Sequence, residues 1–340
     1  VGEVMVDGDG DTAAQLLTAL LVPALVCLVV LSARPYFEWR SASSVPLEAH
    51  VARTSFRSEL GELAPPLWKE PELYLSVVVP AYNEEHRLPY MLEETLSHLE
   101  ARAAASLGRF TYEVIVIDDG STDATYEAAL GASRRTAAAR QDRPAAAQPL
   151  VGGEVRVARL VRNGGKGFAV RTGMLIARGQ LLLMADADGA TNIRDLERLE
   201  SALSTSDDHG PQIVFGSRHH LQEEVLAKRT WWRNVLMVAF HAVVWLLVGG
   251  PVRDTQCGFK LFRARVGKRM FASLHIFRWA FDVELVILAR LFGRSIVEVP
   301  VTWVEMPGSK LSLLTGSAMM LRDMLLLRVL YSFGIWRPAA

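Results

Sequence analysis

Residues 75–85 read Leu75-Ser76-Val77-Val78-Val79-Pro80-Ala81-Tyr82-Asn83-Glu84-Glu85, a short β-branched run that breaks at proline into a polar loop. The arrangement returns three times downstream. Tyr112–Ile117 leads into Asp118-Asp119-Gly120-Ser121, Val155–Leu160 into Asn163-Gly164-Gly165-Lys166-Gly167, and Gln180–Met184 into Asp186-Ala187-Asp188. Amphipathic stretches of helical period lie between the runs, so strand and helix alternate from Leu75 to Leu203. That alternation predicts an α/β fold with a mostly parallel sheet and helices on both faces. Ligands of such sheets gather beyond the carboxyl ends of the strands. Here four strands end in residues fit for chemistry.

Outside this block the chain changes character. Gly131–Gly153, rich in Ala, Arg, Gln and Pro, interrupts the alternation and reads as a surface insertion. Val235–Val248 is apolar except for His241, yet too short to span a bilayer. It is either a buried core helix or one lying at a membrane interface, with Trp231, Trp232 and Trp245 near the headgroups. Leu313–Trp336, apolar but interrupted by Arg322, Asp323 and Arg328, poses the same choice. At the other end, Ala13–Leu31 carries no charge and is broken only by Gln15, Thr18 and Pro23, about the length that crosses a hydrocarbon core. It reads as a transmembrane helix, since a signal peptide would follow basic residues whereas Glu3, Asp7, Asp9 and Asp11 stand here. Arg34, Arg40, Arg53 and Arg57 follow the helix, which places the rest of the chain in the cytosol.

The totals exclude other classes. Of 340 residues 50% are hydrophobic, enough for a sizeable core, and 37 basic residues balance 37 acidic ones. Zero net charge offers no polyanion-binding surface, so nucleic acid is not an expected partner. Cys27 and Cys257 give neither a disulfide framework nor a metal-finger spacing.

Asp186 and Asp188, two apart at a strand end, send their carboxylates to the same side and suit a hard cation, Mg2+ or Mn2+, shared with diphosphate oxygens. An Asp-x-Asp arises by chance roughly once in a chain this long, so its position carries the weight. Asp118 and Asp119 can accept hydrogen bonds from a nucleotide base or ribose; the bland alternative is an ordinary strand-to-helix turn with Asp123 as helix cap. Lys166, in a glycine loop, can meet a diphosphate. An ATPase loop is excluded because no glycine stands five residues before Gly165 and Phe168 replaces the required Ser or Thr. Arg218 follows the strand Ile213–Gly216, while Arg229 and Arg233 share a helical face just before the apolar helix. Together they suit an anionic acceptor with a greasy tail.

The motifs Val79–Glu85, Asp118–Asp123, Asn163–Gly167, Asp186–Thr191 and Phe215–Arg218 together resemble those of the dolichyl-phosphate β-glucosyltransferases, within the second glycosyltransferase family. Arg253–Lys260, Arg278–Glu284, Trp303 and Gly308-Ser309-Lys310 extend the likeness, which runs from about Leu75 to Trp336. It implies that Pro80, Tyr82, Glu84, Asp118 and Asp119 hold a uridine nucleotide beside Lys166. Asp186 and Asp188 would hold the metal, and Arg218 with Arg233 the acceptor phosphate. It further implies inverting transfer of glucose from UDP-glucose to dolichyl phosphate, feeding protein N-glycosylation. Asp188 then serves catalysis through the metal. Asp254, or less readily Asp282, stands where a base would sit, with an ion pair to a nearby Arg as the alternative role. Mannosyl relatives continue their Asp-x-Asp with Leu-Gln-His; here Gly189-Ala190-Thr191 follows, so Ala190 supplies no third ligand.

The resulting layout is a lumenal tail over 1–12, an anchor over 13–33, a linker over 34–73, a nucleotide-sugar-binding part over 74–228 and an acceptor and membrane-interface part over 229–340. The expected place is the endoplasmic reticulum membrane, single-pass, with the catalytic part on the cytosolic side of the lipid bilayer. A mannosyl-type lipid synthase on the same fold and a non-catalytic nucleotide-sugar or membrane-binding module are the alternatives. A processive polysaccharide synthase fits less well, because His275 stands where Gln would precede Arg278-Trp279.

Overall fold

The computed structural model describes residues 55–57, 70–141, 153–203, 210–220, 252–306 and 313–338. The strands are β1 Ser55–Arg57, β2 Leu73–Ala81, β3 Tyr112–Asp118, β4 Glu154–Arg159, β5 Gly179–Met184, β6 Ile213–Ser217, β7 Lys260–Arg263 and β8 Ile296–Pro300. They form one eight-stranded sheet in the order β1-β4-β3-β2-β5-β7-β6-β8. The helices are α1 Leu88–Ala105, α2 Thr125–Gln141, α3 Lys166–Ile176, α4 Leu196–Ala202, α5 Ala264–Ala272, α6 Phe281–Leu291 and α7 Leu313–Ser332.

The β-branched runs form strands because alternate side chains meet helices on opposite faces. Leu75, Val77 and Val79 of β2 join Val114, Val116, Leu181 and Leu183 in one buried layer with Leu92 and Leu99 of α1. Val78 instead joins Ile115, Ile117, Leu182 and Met184 against Val170 and Met174 of α3. β2 pairs in parallel with β3 and β5, and β3 with β4. β7 runs antiparallel to both β5 and β6, whereas β6 pairs in parallel with β8. The sheet is thus mostly parallel but mixed.

One expectation changes. The proposed insertion from Gly131 is helical as far as Gln141, because Ala129, Ala132, Ser133 and Thr136 form a buried stripe at the 3.6-residue period of α2. Ser133 Oγ also donates to the Val155 carbonyl at 2.6 Å, fastening the helix to β4. β7, from the part beyond 228, sits between β5 and β6, so both parts contribute strands to one sheet.

Across Leu313–Trp336 one side is core: Met324, Leu327, Leu330 and Trp336 are buried. Tyr331 Oη donates to Glu284 Oε1 at 2.7 Å and the Trp336 ring stacks on His275 at 4.6 Å, docking α7 on α6. Met319, Leu321, Phe333 and Ile335 remain exposed. No helix among the described residues is long and apolar enough to cross a membrane. The anchor expected over 13–33 and the apolar helix 235–248 lie outside the described residues.

Candidate active site

The loops after β2, β3, β4, β5, β6 and β8 meet around a cleft of about 650 Å3 at the carboxyl ends of the parallel strands. A further contribution arrives from the opposite direction. Because β7 is antiparallel to β5, with Lys260 opposite Met184, the residues preceding β7 lie where its neighbours end. Gln256 and Gly258 thereby line the cleft beside Asp186 and Asp188.

The loops after β2 and β3 hold each other. Asn83, at φ 55, accepts from Thr122 N through Oδ1 at 2.9 Å, and its own N–H donates to Ser121 Oγ at 2.9 Å. Glu84 N donates to Thr125 Oγ1 at 2.6 Å, while Ala124 N donates back to Glu85 Oε2 at 2.9 Å. Asp123 Oδ1 accepts from Thr125 N at 3.0 Å, capping α2 as its sequence position suggests. Pro80 and Tyr82 line the cleft, with Tyr82 exposed. Glu84 also lines it, but both its oxygens take Arg87 at 2.6 Å. Arg87 is a cleft residue that the sequence reading missed. Its signal was the i,i+3 spacing from Glu84 at a helix start.

The adjacent aspartates part company. Asp118 is buried and absent from the cleft wall; its Oδ1 accepts from Ser121 N at 3.1 Å and its Oδ2 lies 3.2 Å from Arg159 Nε. In this position it holds the turn that follows β3. Asp119 does line the cleft, and its two oxygens accept from Gly164 N at 2.7 Å and Gly165 N at 2.9 Å at the start of α3. Burial pushes its carboxyl up to about 6, against the pull of those two donors. Gly165 sits at φ 94, where a Cβ would meet the Phe277 carbonyl at 2.6 Å, so the glycine loop is a tight helix entry.

Lys166, first residue of α3, places Nζ 2.7 Å from Asp186 Oδ1 and 2.9 Å from Oδ2. Burial opposes its charge, but Asp186, Asp282 and Asp188 outweigh it and hold the ammonium above its ordinary range. Asp188 Oδ1 accepts from Ala190 N at 3.0 Å, and burial followed by the Asp186 charge raises its carboxyl. Among the described residues no third His, Cys, Asp or Glu joins them as a metal-holding group. Two half-buried carboxylates two residues apart, one already drawing an ammonium, nevertheless fit a hard divalent cation completed by a ligand's oxygens. Gly258 backs this pair closely: a Cβ there would stand 2.0 Å from Asp186 Oδ2.

Arg218, also on the cleft wall, grips Asp254. Its backbone N–H and Nε donate to Oδ2 at 2.9 and 2.8 Å, and a terminal nitrogen donates to Oδ1 at 2.9 Å. Although burial favours the neutral acid, the Arg218 guanidinium keeps the Asp254 carboxyl below its usual range. An acid so held is a weaker proton acceptor than a free carboxylate, and its geometry is that of the ion-pair role. Asp282 pairs with buried Lys260 at 2.7 Å and is itself buried. Arg218 lines the cleft 5.5 Å from the Trp303 ring, while Arg229 and Arg233 lie outside the described residues. Arg278 and Trp279 complete the wall near Lys166, whose Nζ lies 5.9 Å from the Trp279 ring centre.

A mixed α/β sheet with an acidic pair and cations at its strand ends is the layout of an enzyme that transfers from a phosphate-activated donor, and residues 76–271 match Glycosyl transferase family 2. The chain is 44% identical over 331 residues to the dolichyl-phosphate beta-glucosyltransferase of Drosophila melanogaster, covering 96% of this chain and 95% of that protein. Identity to the Homo sapiens dolichyl-phosphate beta-glucosyltransferase is 42% over 329 residues, 95% of either chain. The chain belongs to the dolichyl-phosphate β-glucosyltransferases of glycosyl transferase family 2. In fold it is also similar to the crystal structure of glucosyl-3-phosphoglycerate synthase from M. tuberculosis, with a TM-score of 0.50, 20% identity and coverage of 77% and 81%.

Proposed function

We propose that this chain transfers glucose from UDP-glucose to dolichyl phosphate with inversion, giving dolichyl β-D-glucosyl phosphate and UDP. The observation that carries the reading is one cleft lined by both the acidic pair, Asp186 and Asp188, and the cations Arg87, Lys166 and Arg218. The relatives supply the sugar and the lipid. A phosphate oxygen of the lipid attacks the anomeric carbon in line, the new O–C bond forms as the bond to the β-phosphate oxygen breaks, and its electron pair leaves with UDP. A phosphate monoester has its second pKa near about 6, so the nucleophile is already ionised at neutral pH. No strong base is then needed, in keeping with Asp254 and Asp282 both being held in ion pairs. Lys166 and Arg87 place positive charge beside the acidic pair, where diphosphate oxygens must lie. Asp186 and Asp188 would hold Mg2+ or Mn2+, which neutralises charge on the departing diphosphate.

Radiolabelled UDP-glucose and GDP-mannose, each incubated with purified protein, dolichyl phosphate and Mg2+, separate this from the mannosyl alternative. Lipid-linked label is expected from UDP-glucose alone. Label from GDP-mannose alone would overturn the sugar assignment.

A second part of the reading concerns place. The uncharged run Ala13–Leu31 with Arg34, Arg40, Arg53 and Arg57 after it supports a single-pass anchor in the endoplasmic reticulum membrane, with the cleft cytosolic. Protease added to sealed microsomes should digest the catalytic part without detergent; full protection would reverse the orientation.

A further inference from the structure

Gln256 stands out among the cleft residues. Its Nε2 is buried without a hydrogen-bond partner, in a cleft whose charged groups Glu84, Arg87, Lys166, Asp186 and Arg218 are held in ion pairs. Enclosing an amide donor without a partner is costly. The cost is understandable if a bound molecule supplies the missing acceptor. Its chain neighbours fix where that molecule lies. Two residues earlier, Asp254 is clamped to Arg218; two residues later, Gly258 presses on the Asp186 carboxylate. Gln256 thus lines the cleft on the segment that joins the residue clamped to Arg218 and the residue that backs Asp186. What joins the acceptor phosphate to the diphosphate during transfer is the transferred sugar.

The chemistry agrees with the position. Phosphate oxygens only accept hydrogen bonds and are served here by Lys166, Arg87 and Arg218. A sugar hydroxyl both donates and accepts, and a carboxamide does the same without adding charge beside the reacting centre. We infer that Gln256 is a specificity-determining residue of this transferase, donating from its side-chain amide to one hydroxyl of the transferred glucose. The inference rests on the proposed function and deepens it. A site built to bond a hydroxyl rejects sugars that lack or misplace it, since its own buried donor is then stranded.

The test is a cycle of two proteins, wild type and Gln256→Met, against UDP-glucose and its 2-, 3-, 4- and 6-deoxy analogues, read as kcat/KM. One analogue should cost the wild type about 10- to 100-fold, and the same analogue should cost Gln256→Met almost nothing further. Gln256→Met should itself lower kcat/KM for UDP-glucose by a similar factor. UDP without a sugar should bind the variant as tightly as wild type, and the thermal midpoint should hold or rise, because an unpartnered amide gives way to an apolar side chain of similar size. Additive losses across all four analogues would overturn the inference, as would weakened UDP binding or a loss confined to the KM for dolichyl phosphate. The wild-type series decides even if the variant misfolds: no deoxy analogue losing more than about twofold would leave the amide without a hydroxyl partner. Wild type inactive with UDP-glucose would sink the proposed function and this inference together, whereas activity without coupling would sink this inference alone.

Discussion

Asp188→Asn should lower transfer by about a hundredfold to a thousandfold, the loss expected when a fixed charge facing the developing anion is removed. The amide keeps the shape and can still accept the 3.0 Å bond from Ala190 N. What it loses is the charge that, with Asp186, makes the pair attractive to a divalent cation. The folded protein has no reason to suffer. Burial and the Asp186 charge already raise the Asp188 carboxyl, so a neutral side chain removes repulsion from the unliganded cleft. The expected combination is a thermal midpoint equal to or above wild type, a midpoint no longer raised by Mn2+ with UDP, and little lipid-linked glucose. Activity within about tenfold of wild type that still requires metal would remove Asp188 from this role.

Gly258→Ala reaches the same carboxylates from behind. Its Cβ would stand 2.0 Å from Oδ2 and 2.2 Å from Cγ of Asp186, distances no packed structure holds, so the Asp186 side chain or the strand must move. The side chain is the softer part. Once it swings, the contact with Lys166 breaks and the two carboxylates no longer present one site. Displacement of about 1 Å at a reacting centre costs on the order of a hundredfold in rate, whereas the overpacking should cost only about 1–3 kcal/mol of stability. Activity should therefore fall far more than the folded fraction, with half-saturation by Mg2+ or Mn2+ moving to higher concentration. Wild-type metal dependence in a folded Gly258→Ala protein would mean that the β7 approach yields instead, and the close backing of Asp186 would carry no function.

Both positions bear on what the sequence can disclose. The parallel half was legible because strand runs such as Leu75–Val79 are buried on both faces and end in polar turns, and chemistry follows the strand end in the direction of reading. The same rule hid Gln256 and Gly258. They precede a short strand that runs the other way, and nothing local marks Lys260–Arg263 as antiparallel. The later part of α2, from Gly131 to Gln141, was mistaken for insertion because the helix's buried stripe uses Ala, Ser and Thr, which look like low-complexity chain when only large apolar residues are counted. Asp118 and Asp119 are identical neighbours in sequence. Successive side chains leaving a strand point to opposite sides, and only one can face the cleft.

The insertion of β7 between β5 and β6 also has a consequence for synthesis on the ribosome. As the chain emerges, β1 to β5 can pair as soon as Met184 is out, but the outer edge of β5 has no partner until Lys260–Arg263 follows. Until then that edge is an open row of backbone donors and acceptors, the surface on which nascent chains mispair. The same late strand carries in Gly258 and Gln256, so Asp186 gains its backing only after most of the polypeptide has been made. A nascent chain stalled before β7 would expose an edge and lack a finished cleft, which makes completion of the sheet the event that closes the site.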